Sequence, residues 1–305
     1  MKAVYSPIYC IPLPERHPFP MEKFPELHRI LLEESLLSKE DVVIPEEVDW
    51  EDLRLVHTDE YLEKLREGKL SVLEQRRMGL PWSEILIKRS RTAVSGTILA
   101  TGLALEEGIA AHLAGGTHHA FADRGEGYCV LNDVAVGIRR LQRAGKIERA
   151  LVIDFDVHQG NGTASIFEED PSVYTFSVHG ERNYPIRKSK SDRDVGLPDQ
   201  VGDDGYLEAL QLHLPEVIEE ADPDLICYLA GVDVVEGDRF GRINLTREGL
   251  RRRDRFVLET VKQTGIPLTL LLSGGYAKTP THTADLHATV HREAAEVFAN
   301  GALQG

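Results

Sequence analysis

Residues 149–162 read Arg-Ala-Leu-Val-Ile-Asp-Phe-Asp-Val-His-Gln-Gly-Asn-Gly. The stretch opens as an apolar run of the kind that forms a strand buried on both faces of a parallel sheet. Asp154, Asp156 and His158 then fall at alternate positions before Gly160 and Gly162 end the strand. In an extended chain, residues two apart point to the same side. Two carboxylates and an imidazole therefore converge where a central strand finishes, which is where open α/β sheets place their ligands. Turn formation and helix capping account for Asn161. They do not account for two acids and a histidine on one face, because buried charge is costly unless a cation or a donor compensates it.

Working outward, apolar runs predict further strands at residues 2–6, 109–114, 173–178, 225–230 and 268–272. Between them, helical periodicity covers 25–37, 82–107, 132–144, 163–169, 206–220, 246–264 and 281–299, with Thr58 and Ser83 as N-caps. Residues 11–25 hold five prolines and read as an irregular surface segment. Residues 180–203 are polar and punctuated by glycine and proline, as in a long functional loop. Strands alternating with helices predict an α/β protein, with three α/β/α layers around a central, mainly parallel sheet. No repeat or linker divides it, so residues 1–305 are expected to form one domain.

Hydrophobic residues make up 42% of the 305-residue chain and charged residues 28%, the composition of an ordinary soluble globular protein. A formal net charge of −15 argues against direct binding of nucleic acid and is compatible with cationic substrates such as lysine-bearing peptides or polyamines. Cys10, Cys129 and Cys227 are scattered and odd in number, which points to reduced thiols and a cytoplasmic location. Neither a leader pattern at the N-terminus nor an apolar stretch of about 20 residues is present, so no membrane association is expected.

Four of the predicted strands run into chemically loaded residues: His118-His119, the Asp154–His158 cluster, Asp233, and Ser273-Gly274-Gly275-Tyr276. In a parallel sheet these ends lie along one edge. Asp156, His158 and Asp233 would offer two oxygens and a nitrogen to a divalent metal, leaving a position for water. A metal there would acidify that water. His118 and His119 would serve as base and acid, with Asp154 and Asn161 fixing which ring nitrogen carries the proton. Tyr276, presented by a Gly-Gly turn, could donate to an oxyanion. Taken singly, each of these pieces has an ordinary structural explanation. Their joint occurrence at successive strand ends points to metal-assisted hydrolysis of an amide.

The sequence resembles the histone deacetylase superfamily. The resemblance is carried by Gly115-Gly116-Thr117-His118-His119, Gly127-Tyr-Cys-Val-Leu-Asn-Asp133, Ile153-Asp-Phe-Asp-Val-His-Gln-Gly-Asn-Gly162, Ser177-Val-His179, Ala230-Gly-Val-Asp233 and Ser273-Gly-Gly-Tyr276. The His-Gln-Gly-Asn-Gly and Ser-Gly-Gly-Tyr variants are closer to class IV and bacterial deacetylases than to class I. The resemblance implies the arginase/deacetylase fold, with zinc ligands at Asp156, His158 and Asp233. It also implies a proton-transfer pair at His118 and His119, with Asp154 behind His118. Asn161 stands where class I enzymes carry an aspartate, which implies a neutral His119 acting as base. Tyr276 is implied to polarise the substrate carbonyl.

By the same resemblance, Tyr128 and the backbone of Gly127 line an acyl-lysine tunnel, with Asn183 or Tyr184 as the facing wall. A structural potassium is implied at Asp154, Ser177 and the backbone of Asp156 and His158. Ferrous iron could replace zinc at a site with such O/N donors.

The expected activity is removal of an acyl group, most simply acetyl, from lysine side chains of a peptide or protein. Acetylated polyamines or other small amides are alternative substrates, and a non-catalytic acyl-lysine binder is the alternative of a different class. A two-manganese arginase chemistry would need further acids where Gln159 and Asn161 stand. His287 and His291 on the last helix, and the Arg251-Arg252-Arg253 run, are expected to face solvent. Cys129 is expected to be a buried small hydrophobe beside the tunnel.

Overall fold

The structure, a computed structural model, describes residues 1–299. Among these residues eight strands run in chain order: β1 (Lys2–Val4), β2 (Val42–Val43), β3 (Ile109–His112), β4 (Ala150–Asp154), β5 (Val173–Gly180), β6 (Arg193–Leu197), β7 (Leu225–Leu229) and β8 (Leu268–Leu271). The helices are α1 (Lys23–Glu33), α2 (Trp50–Leu53), α3 (Asp59–Glu67), α4 (Val72–Met78), α5 (Glu84–Glu107), α6 (Asp133–Arg143), α7 (Asn161–Phe167), α8 (Asp203–Ala221), α9 (Arg247–Thr264) and α10 (Pro280–Ala299).

Every residue of β4 is buried. Leu151 and Ile153 enter the core shared with α8, α9 and α10, while Ala150 and Val152 pack with Val134, Ile138 and Phe167 of α6 and α7. A strand buried on both faces needs apolar side chains at every position, which is why residues 150–153 show no alternation. The result is the expected three-layer α/β/α architecture.

The sheet is wholly parallel, in the order β2-β1-β3-β8-β7-β4-β5-β6. The four strands with loaded C-terminal ends, β3, β8, β7 and β4, are therefore consecutive neighbours. Their register aligns His112 with Leu271, Leu271 with Leu229, and Leu229 with Asp154, so the chain leaves all four at one level.

The helix caps follow the sequence signals. Thr58, Ser83, Asn132 and Thr246 each accept a bond from a first-turn backbone amide. Pro215 lies inside α8 without ending it.

Three expectations are corrected. Residues 180–203 are not wholly loop, because Arg193–Leu197 pairs with β5 at the sheet edge. Its positions alternate half-buried and exposed and begin with the charged pair Arg193-Asp194, which an edge strand tolerates and which conceals it from a search for apolar runs. His287 and His291 are each about 1% exposed rather than solvated, since α10 is packed between α1 and α9.

Arg253 is also fully buried. Its Nε and Nη2 donate to Asp254 Oδ1 at 2.9 and 2.8 Å, and its Nη1 donates to the carbonyls of Gly231 (2.6 Å) and Phe155 (3.3 Å). One guanidinium thus ties together the chain leaving β4 and the chain leaving β7, just ahead of Asp156 and Asp233. An Arg253→Leu substitution would leave the Asp254 charge buried without its partner. It is expected to cost about 3–5 kcal/mol of unfolding free energy in urea titrations, whereas Arg252→Leu on the exposed face should change little.

Candidate active site

The first cluster forms where β4 and β7 end. Asp156 Oδ1 and Asp233 Oδ2 lie 3.0 and 3.2 Å from His158 Nδ1. One candidate ligand atom from each of the three residues lies within 4.8 Å of the others. The remaining oxygens are already committed. Asp156 Oδ2 accepts from the Gly274 amide (2.6 Å) and the Ser273 hydroxyl (2.8 Å), and Asp233 Oδ1 accepts from the Val157 amide (2.9 Å).

Asp233 Oδ2 is buried and meets no hydrogen bond of acceptable geometry. Burial and the neighbouring Asp156 charge push the Asp233 carboxyl up to about 7. Burial opposes charge on His158 too, but the Asp156 and Asp233 carboxylates beside it outweigh burial and raise the ring to about 10. Electrostatics that favour a proton at His158 Nδ1 favour a divalent cation there as well. Two carboxylates and an imidazole match the donor chemistry of zinc or ferrous iron. The residues fit the metal that the sequence pattern implies.

Beside this cluster stand the two histidines that follow β3. Their loop is shaped by Asp133 at the start of α6, whose carboxylate accepts from the amides of Gly116 (3.1 Å) and Thr117 (2.7 Å) and from the hydroxyls of Thr97 and Thr117. His118 Nδ1 donates to Asp154 Oδ2 at 2.6 Å. Burial disfavours the charged ring, but Asp154 and Asp156 outweigh it and raise His118 to about 9. His119 is pushed the other way, well below the usual histidine range, by burial and by the charges of His118 and His158.

The tautomer of His119 follows from its partner. Asn161 Nδ2 donates to Glu126 Oε1 at 3.0 Å, so Asn161 Oδ1 must be the atom 2.6 Å from His119 Nδ1. That nitrogen therefore carries the hydrogen, and Nε2 keeps its lone pair.

Tyr276 reaches the same space from the turn after β8. Gly274 is required there: a Cβ at this position would lie 2.0 Å from Asp233 Oδ2 and 2.5 Å from Asp156 Oδ2. The Tyr276 amide donates to Asp238 Oδ2 at 2.7 Å, and its ring packs edge-on against Phe240 at 4.9 Å. Burial and the nearby Asp156 and Asp233 charges hold the phenol well above its usual value, so it stays a donor.

An inner cavity of about 50 Å³ is lined by His118, His119, Asp156, His158 and Tyr276, and it continues into an outer vestibule of about 420 Å³. Gly127 and Tyr128 line both. Both residues are left-handed (φ +55° and +67°), and their amides donate to the carbonyls of Arg77 and Met78 at the end of α4. A Cβ on Gly127 would lie 2.6 Å from His119 Cδ2. Asn183 and Tyr184 both border the vestibule. Tyr184 lies edge-on to His119 at 5.0 Å, and Asn183 Nδ2 donates to the Phe240 carbonyl at 2.7 Å.

Of the remaining expected residues, Ser177 pairs with Asp154 in the β4–β5 register, and the two border a separate small cavity. The Ser177 hydroxyl lies 2.9 Å from His179 Nδ1. Cys129 is buried beside the inner cavity, and burial raises its thiol well above the ordinary range.

Several residues here carried no sequence signal. Glu126 accepts from Asn161 and from the Tyr184 hydroxyl, linking the histidine to the wall of the vestibule. Phe240 faces Tyr128 with ring centroids 6.5 Å apart. Lys23 is fully buried, donates to the Ser273 carbonyl at 3.0 Å, and is lowered by burial to about 8. A lysine opening an amphipathic helix reads as solvent-facing, and only tertiary packing encloses it.

The crystal structure of the HDA15 HD domain shares this fold, with a TM-score of 0.80 at 21% identity over 98% of this chain and 89% of that one. The histone deacetylase domain pattern matches residues 17–292. The chain is 48% identical over 295 residues to an uncharacterized protein of Picosynechococcus, covering 97% of this chain and 98% of that one. It is 30% identical to Histone deacetylase 2 of Arabidopsis thaliana, covering 90% of this chain and 74% of that one. Identity to Acetoin utilization protein AcuC of Staphylococcus aureus is also 30%, covering 80% and 68%.

The fold is a deacetylase-type α/β/α sandwich. The chain belongs to the histone deacetylase family. Membership supports a hydrolase acting on amide bonds, a deacetylase. Among the described residues, no helix is long and apolar enough to cross a membrane.

Proposed function

We propose that this protein is a zinc-dependent amidohydrolase that removes a short acyl group, most simply acetyl, from lysine side chains. The observation that carries this reading is the convergence of Asp156, His158 and Asp233, with its unpartnered Asp233 oxygen, beside the cavity that Asp156 and His158 line together with His118, His119 and Tyr276. A divalent cation held by those three residues would supply Lewis acidity and acidify a neighbouring water.

The chain's own groups do the rest. His119, neutral and with Nε2 free, takes the proton of the attacking water. Asn161 and Glu126 hold its ring in the productive tautomer. His118, held by Asp154, delivers a proton to the departing amine. The Tyr276 hydroxyl donates to the carbonyl oxygen as negative charge develops on it. Tyr128 and Phe240 flank the lysine stem and keep water from the reacting carbonyl. The small inner cavity, with Phe19, Phe24 and Ala93 in its wall, supports a short acyl group over a long one.

The test is turnover of one fluorogenic acyl-lysine peptide carrying acyl groups of increasing length, before and after chelation. Expected are activity on the acetyl form, its loss with chelator, and its return with one equivalent of zinc, or of ferrous iron under anaerobic conditions. No chelator-sensitive turnover at any acyl length would overturn the proposal. Two metal ions per chain would point instead to arginase-type chemistry.

A further inference from the structure

The vestibule outside the reactive cavity carries a charge opposite to that of the molecule as a whole. Four arginines border it: Arg76 and Arg77 from α4, Arg182 after β5, and Arg242 from the segment between β7 and α9. All four are exposed, and among the described residues no acidic residue borders the same space. Among the described residues, Arg76 and Arg77 are in no ion pair, while Arg182 and Arg242 share one carboxylate, Asp199, at 3.9 and 3.1 Å. The neighbouring Glu126 carboxylate is occupied by Asn161, Tyr184 and Arg124.

Three separate segments thus bring cations to one opening in a chain of net charge −15. Like charges gathered this way repel one another and concentrate counter-ions, so they mark the sign of what enters.

We infer that the vestibule selects acyl-lysines embedded in acidic peptide sequence, with carboxylates flanking the lysine meeting Arg76, Arg77, Arg182 and Arg242. The inference rests on the deacylase reading above and deepens it by naming the substrate class. It reverses the expectation drawn from net charge alone. The acids lie elsewhere on the surface, and the opening disfavours lysine-rich tails and acetylated polyamines.

The test uses three acetyl-lysine peptides of equal length whose flanking residues are acidic, neutral or basic. For each, kcat/KM and binding by fluorescence anisotropy are measured with the metal-loaded protein at low and high salt. The acidic peptide should exceed the basic one by about tenfold or more at low salt, shrinking toward parity near 1 M salt as the charges are screened. In the Arg76→Glu/Arg77→Glu double variant the acidic-to-basic ratio should fall below one. The ratio is read rather than the absolute rate, so a general loss of activity cancels.

Turnover with no preference, or with a preference for the basic peptide, would overturn the inference and leave the deacylase reading standing. Absence of all turnover with the acidic peptide still bound most tightly would do the reverse. Equal binding of the three peptides would overturn it whether or not turnover occurs.

Discussion

Replacing Tyr276 by phenylalanine is expected, on the proposed mechanism, to lower kcat on an acetyl-lysine peptide by about 10²–10³, the usual effect of deleting one oxyanion donor. The ring itself is held by contacts that the substitution keeps: Phe240 packs edge-on against it, and the backbone amide is anchored on Asp238. The variant should therefore fold normally and take up the same amount of zinc. KM should change little, because the bond is made to charge that develops only as the carbonyl is attacked. Full activity in Tyr276→Phe would remove the hydroxyl from the mechanism.

His119→Ala is expected to cost about 10²–10⁴ in kcat, the range for removing a positioned general base. Its effect should exceed that of Glu126→Gln, which keeps an acceptor for Asn161 while removing the carboxylate charge. Metal content is the control, since His119 is not among the three residues whose ligand atoms converge. If His119→Ala and the parent protein turn over the peptide at similar rates, the base lies elsewhere, and His118 becomes the alternative to test.

Much of this geometry was legible in the amino-acid order because parallel strands buried on both faces leave an unmistakable apolar run, as in residues 150–153. What such a run delivers at its end is then conspicuous. Asp154, Asp156, His158 and Asp233 stood out because buried charge has few cheap explanations. The edge strand Arg193–Leu197 did not, since an edge exposed on one side tolerates charges and loses the signature that betrays a central strand.

Arg253 and His287 are buried against expectation for a related reason. A polar residue on a helix declares no preference until the elements packed around that helix are known, and α9 and α10 are covered more completely than their patterning implies. Glu126 was invisible because its importance lies in Asn161, 35 positions further along the chain. The arginines of the vestibule come from three distant segments and could be assembled only in space.

The seven-residue helix α4 has a double tenancy. Its C-terminal carbonyls receive the amides of Gly127 and Tyr128, and its exposed side carries Arg76 and Arg77. Calibre and polarity of the entrance are thereby inherited together. A descendant that lengthens, shortens or recodes this one surface helix would redraw its diet while leaving the sheet, and everything the sheet presents, as it was.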